Sequence, residues 1–120
     1  MANPFVHVEL MSMDIDKSKA FYKELFDWEF EQMSMPDMNY TMIKVGEGTG
    51  GGMMKNPMPG ASSLWLPYVQ VDDVKAATDK ARSLGAKVLK DIIEVPEMGS
   101  FSVITDTTGA MFGLWESKRR

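Results

Sequence analysis

HVELMSMDIDKSKAFYKELFDWEFEQM, residues 7–33, is the stretch that decides the fold, because its pattern recurs later in the chain. Fifty-nine positions further on, residues 66–92 are LPYVQVDDVKAATDKARSLGAKVLKDI. Each segment begins with alternating apolar side chains, as in a half-buried strand, and continues with apolar residues three and four apart, as in an amphipathic helix. The recurrence predicts two copies of one structural module.

The helices have recognisable beginnings, and strand-like runs follow each of them. Asp14 or Asp16 can cap the first helix, Asp72 or Asp73 can cap the second, and Gly85 is placed to end the second. The strand-like runs are residues 28–32, 39–45 and 50–55 after the first helix, and 87–94, 101–105 and 110–116 after the second. The pattern is βαβββ twice: a single domain over 1–120, with module one at about 1–55, a linker NPMPGASS at 56–63 and module two at about 64–120.

Composition restricts the classes of function. The chain has 120 residues, 44% of them hydrophobic and 25% charged, which is typical of a globular protein with its own core. Its formal net charge of -4 argues against a nucleic-acid interface. It has no cysteine, so disulfides, thiolate metal sites and thiol nucleophiles are excluded. The first residues resemble neither a signal peptide nor a membrane span, and we expect a cytoplasmic protein with no membrane contact.

His7 is the only histidine, and Glu9 lies two residues after it on the predicted first strand. In a strand these two side chains point to the same face. If both are partly buried, the carboxylate should raise the pKa of the imidazole, because an opposite charge favours the protonated form. The pair is then a candidate general acid or base, a ligand-recognition group, or a satisfied polar pair in a half-buried sheet.

Three segments of the chain carry a further signal: DIDKSKAFYKELFDWEF at residues 14–30, WLPYVQVDDVKAATDKARSLGAKVL at residues 65–89, and ITDTTGAMFGLWE at residues 104–116. In this order they resemble the first helix and next strand, the second module and the last hairpin of the vicinal oxygen chelate superfamily. That superfamily includes glyoxalase I, the bleomycin-resistance proteins and the extradiol dioxygenases. The resemblance implies an α+β fold of two βαβββ modules, with an eight-stranded concave mixed sheet and two main helices.

Catalytic members of that superfamily hold a divalent metal through one ligand on each of the first, fourth, fifth and eighth strands. His7 matches the first of these positions. The other three positions fall on Gly52, Leu66 and Gly113, none of which has a side chain that binds metal. We therefore expect no cofactor, and a divalent metal is disfavoured.

Without a metal, the concave face is expected to form a cavity for a small amphipathic or aromatic molecule. Gly52 and Gly113 lack side chains at the ligand positions and should leave room there. Aromatic and methionine walls with a few polar groups suit such a ligand. The predicted lining residues are His7, Glu9, Gly52, Met54, Leu66, Tyr68, Gln70, Gly113 and Trp115.

Two other functions stay open at this point. The first is an enzyme: a lyase, isomerase or dioxygenase that uses His7 and Glu9 without metal, or a rearranged metal site of His7, Glu9 and Gln70. The second is a module whose main role is dimeric association with another protein. On the resemblance we expect a homodimer, with each cavity built from one chain or from two.

Overall fold

The computed structural model describes residues 3–35, 38–56 and 60–118, and its elements follow the predicted order. They are β1 (Phe5–Ser12), α1 (Ile15–Leu25), β2 (Glu29–Met35), β3 (Met38–Lys44), β4 (Gly51–Lys55), β5 (Leu64–Gln70), α2 (Val74–Ser83), β6 (Lys87–Val95), β7 (Gly99–Thr105) and β8 (Met111–Ser117). The eight strands belong to one mixed sheet, so the predicted α+β fold with two βαβββ modules is confirmed.

The chain divides into two compact units. The first unit is His7–Leu66, and the second unit combines the described residues before His7 with those from Pro67 onward. Residues 36–37, where a loop is predicted, and residues 57–59 of the predicted linker lie outside the described part of the chain.

In the first unit the strand order is β2-β3-β4-β1. β1 runs parallel to β4, and β3 is antiparallel to both β2 and β4. The buried core consists of Leu10, Ile43 and Met53, with Tyr22 of α1 and Trp28 packed against it. This arrangement follows from the alternation along β1, which sends Leu10 to the helix side and its neighbours to the other face.

The helix α1 begins where a side chain caps it. The Asp14 carboxylate accepts a 3.1 Å hydrogen bond from the backbone N–H of Lys17, which confirms one of the two predicted caps. The apolar stripe of α1 is only partly covered: no residue of the helix is fully buried, and Phe21 and Leu25 are exposed.

In the second unit the strand order is β5-β8-β7-β6, with β5 parallel to β8 and the other pairs antiparallel. Val74 of α2 packs with Ile104 and Leu114 of the sheet in its core. Asp73 accepts from the backbone N–H of Ala76 and so caps α2.

A side chain from β8 stabilises the start of α2, and a glycine follows its end. Oε1 of Glu116 on β8 accepts a 2.8 Å hydrogen bond from the backbone N–H of Val74, in the first turn. Gly85, just beyond the helix, has a φ of 102°, a conformation that glycine adopts without strain, so the predicted helix end is confirmed. Within the described residues, neither helix is long and apolar enough to cross a membrane.

Candidate functional site

Three polar side chains of the first unit, His7, Tyr40 and Glu9, form one connected group. Nε2 of His7 lies 2.7 Å from the Tyr40 hydroxyl, which donates a 3.0 Å hydrogen bond to Oε1 of Glu9. Tyr40 and Glu9 are buried, with 8% and 6% of their surface exposed, whereas His7 is only half-buried. His7 is therefore the most exposed member of the group.

Strand pairing brings these side chains to one face of the sheet. Glu9 of β1 pairs with Gly52 of β4, and Met42 of β3 pairs with Gly52 on its other side. Residues two apart on a strand share a face, so His7 lies on the face of Glu9, and Tyr40 lies on the face of Met42. The fold alone thus collects an imidazole, a phenol and a carboxylate.

The hydrogen bonds assign the protons within the His7–Tyr40–Glu9 group. The Tyr40 hydroxyl has one hydrogen and gives it to Glu9, so Nε2 of His7 is the donor to the phenol oxygen. Burial desolvates the imidazole and lowers the pKa of His7, which favours the neutral ring. The expectation that Glu9 raises this pKa is wrong, because desolvation of the buried ring lowers it.

The lowered pKa of His7 predicts how stability depends on pH. The unfolded chain takes up the imidazole proton more readily than the folded one, so stability should fall as the pH drops from the unfolded-state pKa towards the folded-state pKa. Between about pH 7.5 and pH 5.5, urea unfolding should show a larger loss of stability for the wild type than for His7→Gln. His7→Gln keeps every Asp and Glu, so it measures the part of the pH dependence that comes from carboxylates. Equal losses of stability in both proteins would contradict the prediction.

The volume beside Gly52 is filled by the Tyr40 ring. A Cβ atom built on Gly52 would overlap the hydroxyl oxygen and two ring carbons of Tyr40. The prediction that this glycine leaves room at the fourth-strand position is therefore wrong. The ring needs the glycine, because any larger residue would compete with it for the same space.

The second unit repeats this arrangement at Gly113. Tyr68 of β5 lies directly opposite Gly113 of β8, and a Cβ atom on the glycine would overlap the tyrosine ring. Tyr68 is buried, and its ring makes an edge-to-face contact with the ring of Phe101 at a centroid distance of 5.9 Å. The expected space at the eighth-strand position is thus also taken by a phenol ring.

Comparisons with known sequences agree with this fold. Residues 4–46 match the family described as Bleomycin resistance protein-like N-terminal. CFP32 of Mycobacterium tuberculosis (strain CDC 1551 / Oshkosh), a protein named as a glyoxylase, is 34% identical over 107 residues, covering 88% of this chain and 41% of the relative. Anthracycline biosynthesis protein DauV of Streptomyces sp. (strain C5) is 25% identical over 122 residues, covering 89% of this chain and 44% of the relative. The chain spans less than half the length of these curated relatives.

Solved structures share the whole architecture. Methylmalonyl-CoA epimerase from Mycobacterium tuberculosis superposes with a TM-score of 0.71 at 15% identity, over 96% of this chain and 88% of that one. The chain is a member of the vicinal oxygen chelate superfamily. A hypothetical protein from Bacillus halodurans C-125 superposes with a TM-score of 0.76 at 11% identity, over 100% of this superfamily member and 98% of that chain. Identities at this level show a shared fold and not a shared reaction.

The metal site of the vicinal oxygen chelate superfamily does not fit the residues present here. His7 is in place, but Gly52 and Gly113 lie against tyrosine rings, and Leu66 is a fully buried hydrocarbon side chain. Within residues 3–35, 38–56 and 60–118, no three His, Cys, Asp or Glu side chains come together as a set that could hold a metal ion.

The predicted lining residues are divided between the two units. Met54, Gln70 and Trp115 are half-buried, and Nε1 of Trp115 donates a 3.1 Å hydrogen bond to Oγ of Ser117. The structure brings His7, Glu9 and Gly52 together around Tyr40, and it brings Tyr68 onto Gly113. The first unit holds His7, Glu9, Gly52, Met54 and Leu66, and the second holds Tyr68, Gln70, Gly113 and Trp115.

Tyr40 is the functional candidate that the sequence analysis missed. It lies within the predicted strand 39–45, so its element was known. Its partners depend on the register of β3 against β4, and a single strand's alternation does not fix that register. One signal in the sequence could have found it: a large aromatic residue on one predicted strand and a glycine on the next indicate that the ring packs over the glycine.

Proposed function

We propose that this vicinal oxygen chelate protein binds a small amphipathic or aromatic molecule and does so without the superfamily's metal. The observation that carries the proposal is the Tyr40 ring over Gly52, where a metal ligand would have to project. The phenol that replaces the ligand is hydrogen-bonded to Glu9 and to His7, so it belongs to the polar group of the site.

The His7–Tyr40–Glu9 group suits recognition of a polar atom on an otherwise apolar molecule. Glu9 and Tyr40 are buried and hold the imidazole in one orientation, while His7 reaches the surface. A pre-oriented imidazole loses little side-chain entropy when it binds. Support for aromatic ligands comes from the relatives' descriptions, because bleomycin and the anthracyclines both contain planar aromatic parts.

The first test is the metal content of the purified protein. We expect no retained metal by elemental mass spectrometry after incubation with Ni, Zn, Mn or Fe(II) and desalting, because the phenol rings occupy two ligand positions. His7→Ala is the matched control. Near-stoichiometric metal that is lost in His7→Ala would overturn the metal-free proposal and favour a lyase, isomerase or dioxygenase with a rearranged site of His7, Glu9 and Gln70.

The second test is ligand binding by calorimetry, with bleomycin and with an anthracycline as the probes. We expect saturable binding of at least one probe, with about tenfold weaker affinity in His7→Ala. Tyr40→Phe keeps the ring over Gly52 but removes the hydroxyl that orients His7, so we expect a smaller loss. Binding that is equal in wild type and His7→Ala, or absent for both probes, would contradict the proposed ligand class at this group.

Acid–base catalysis is a second candidate function, and the continuous hydrogen bonding from Glu9 through Tyr40 to His7 favours it. A neutral imidazole can accept a proton, and the buried carboxylate would stabilise the resulting charge through the phenol. Exchange of solvent deuterium into a bound carbonyl compound, lost in His7→Gln, would support this reading over binding alone.

We also propose the homodimer that the superfamily resemblance implies. Sedimentation velocity of the untagged protein is the direct measurement. A monomer at micromolar concentration would refute the dimer.

A further inference from the structure

A cavity of about 250 Å³ lies on the face of the first unit opposite the His7–Tyr40–Glu9 group. Its aliphatic lining includes Val8 and Ile43. Val8 precedes Glu9 on β1 and so points to the other side of the sheet, the side on which Ile43 belongs to the buried core. The cavity is therefore separate from the polar group, and we call it the tryptophan cavity after its two indole walls, Trp28 and Trp65.

The two indoles are held in place by an aromatic cluster. Their ring centroids are 6.3 Å apart with an interplanar angle of 80°, an edge-to-face contact. Trp28 also contacts Phe26 at 4.7 Å and Tyr22 at 5.6 Å, and Tyr22 contacts Trp65 at 5.6 Å. Trp65 keeps 39% of its surface exposed, so one wall of the tryptophan cavity is open to solvent.

Two glycines, Gly50 and Gly51, also line the tryptophan cavity. A Cβ atom on Gly51 would overlap the backbone carbonyl of Val8, and one on Gly50 would lie 3.3 Å from the carbonyl oxygen of Ile43. The glycine-rich loop GEGTGGG, residues 46–52, thus lets the backbone of β4 approach its neighbours closely. The same glycines leave the cavity without side chains there.

The lining sets the chemical class of a ligand. Apart from the indole N–H groups of Trp28 and Trp65, Thr49 supplies the only polar side-chain atom, and none of the eight lining residues is charged. An apolar cavity of about 150 Å³ is large enough to bind benzene, whereas drug-sized ligands occupy about 300 Å³ or more. We propose that the tryptophan cavity is a second binding site, which takes a flat, uncharged aromatic molecule of one or two rings.

The proposal is tested with 2-naphthol as the probe and the full chain labelled with ¹⁵N. The three tryptophans give three indole N–H signals in a two-dimensional NMR spectrum. We expect saturable shifts for Trp28 and Trp65 and none for Trp115, which is not among the lining residues. Val45→Phe adds a ring to the lining and should weaken 2-naphthol binding at least about tenfold, because the ring takes up ligand space. Trp65→Ala removes one indole wall and should weaken binding to the same extent. Because Trp65 is exposed, we expect this variant to stay folded.

The controls separate this site from the one at His7. Tyr40→Phe acts on the opposite face and should leave 2-naphthol binding within about twofold of wild type. Equal shifts at all three tryptophans, no saturation, or wild-type affinity in both Val45→Phe and Trp65→Ala would overturn the proposal. So would a wild-type dimer that does not bind 2-naphthol and becomes monomeric in Trp65→Ala, because the tryptophan cavity would then be a contact surface between two copies.

Discussion

Gly52→Val is expected to lower the free energy of unfolding by about 3 kcal/mol or more. The new side chain would enter the volume of the Tyr40 ring, and the ring cannot leave without breaking its hydrogen bonds to His7 and to buried Glu9. Overpacking a core costs about 1–3 kcal/mol, and separating buried hydrogen-bonded groups adds about 1–3 kcal/mol. Urea unfolding followed by circular dichroism measures the sum.

Two further variants show whether the Tyr40 ring is the cause. Lys55→Val, at an exposed position on the same strand, should change the free energy of unfolding by no more than about 0.5 kcal/mol. In the Gly52→Val background, Tyr40→Ala should cost less than it does in the wild type, by about 1 kcal/mol or more. A Gly52→Val protein as stable as wild type would contradict the ring's placement and, with it, the argument against the metal site.

Gly113→Val is expected to cost about 2–3 kcal/mol in the second unit. Its side chain would overlap the ring of Tyr68, which is buried and lies edge-on against Phe101. Urea unfolding again gives the free energy, and Tyr68→Ala should cost less in the Gly113→Val background than in the wild type, by about 1 kcal/mol or more.

The control for Gly113→Val is Ala110→Val, because Ala110 is exposed. That substitution should leave the free energy of unfolding within about 0.5 kcal/mol of wild type. If Gly113→Val and Ala110→Val have the same small effect, the space over Gly113 is open and the predicted cavity at the eighth-strand position regains support.

The elements of the fold could be predicted because their causes are local. Asp14 and Asp73 cap helices by bonding to amides three residues ahead, and Gly85 ends a helix through its own backbone conformation. The alternation at Val8 and Glu9 shows which side chains share a face. Each of these signals lies within one element or at its end, so the sequence alone contains it.

The site could be predicted only in part because its causes are not local. Glu9 and Tyr40 are 31 positions apart and meet only through the pairing of three strands. Without knowledge of that pairing, the sequence predicts open space at Gly52, and it predicts that Glu9 raises the pKa of His7. Desolvation, which decides the direction of the His7 pKa, is likewise a property of the packed protein.

The position of β8 has a consequence for how the protein is made on the ribosome. β8 is the last of the eight strands to be synthesised, yet it lies between β5 and β7, and its Glu116 bonds to the first turn of α2 from 42 residues away. Until β8 emerges from the exit tunnel, the nascent second unit lacks a central strand, while all of β1 to β4 has already been released. The second unit therefore cannot complete its sheet until β8 has emerged, whereas every strand of the first unit is available earlier.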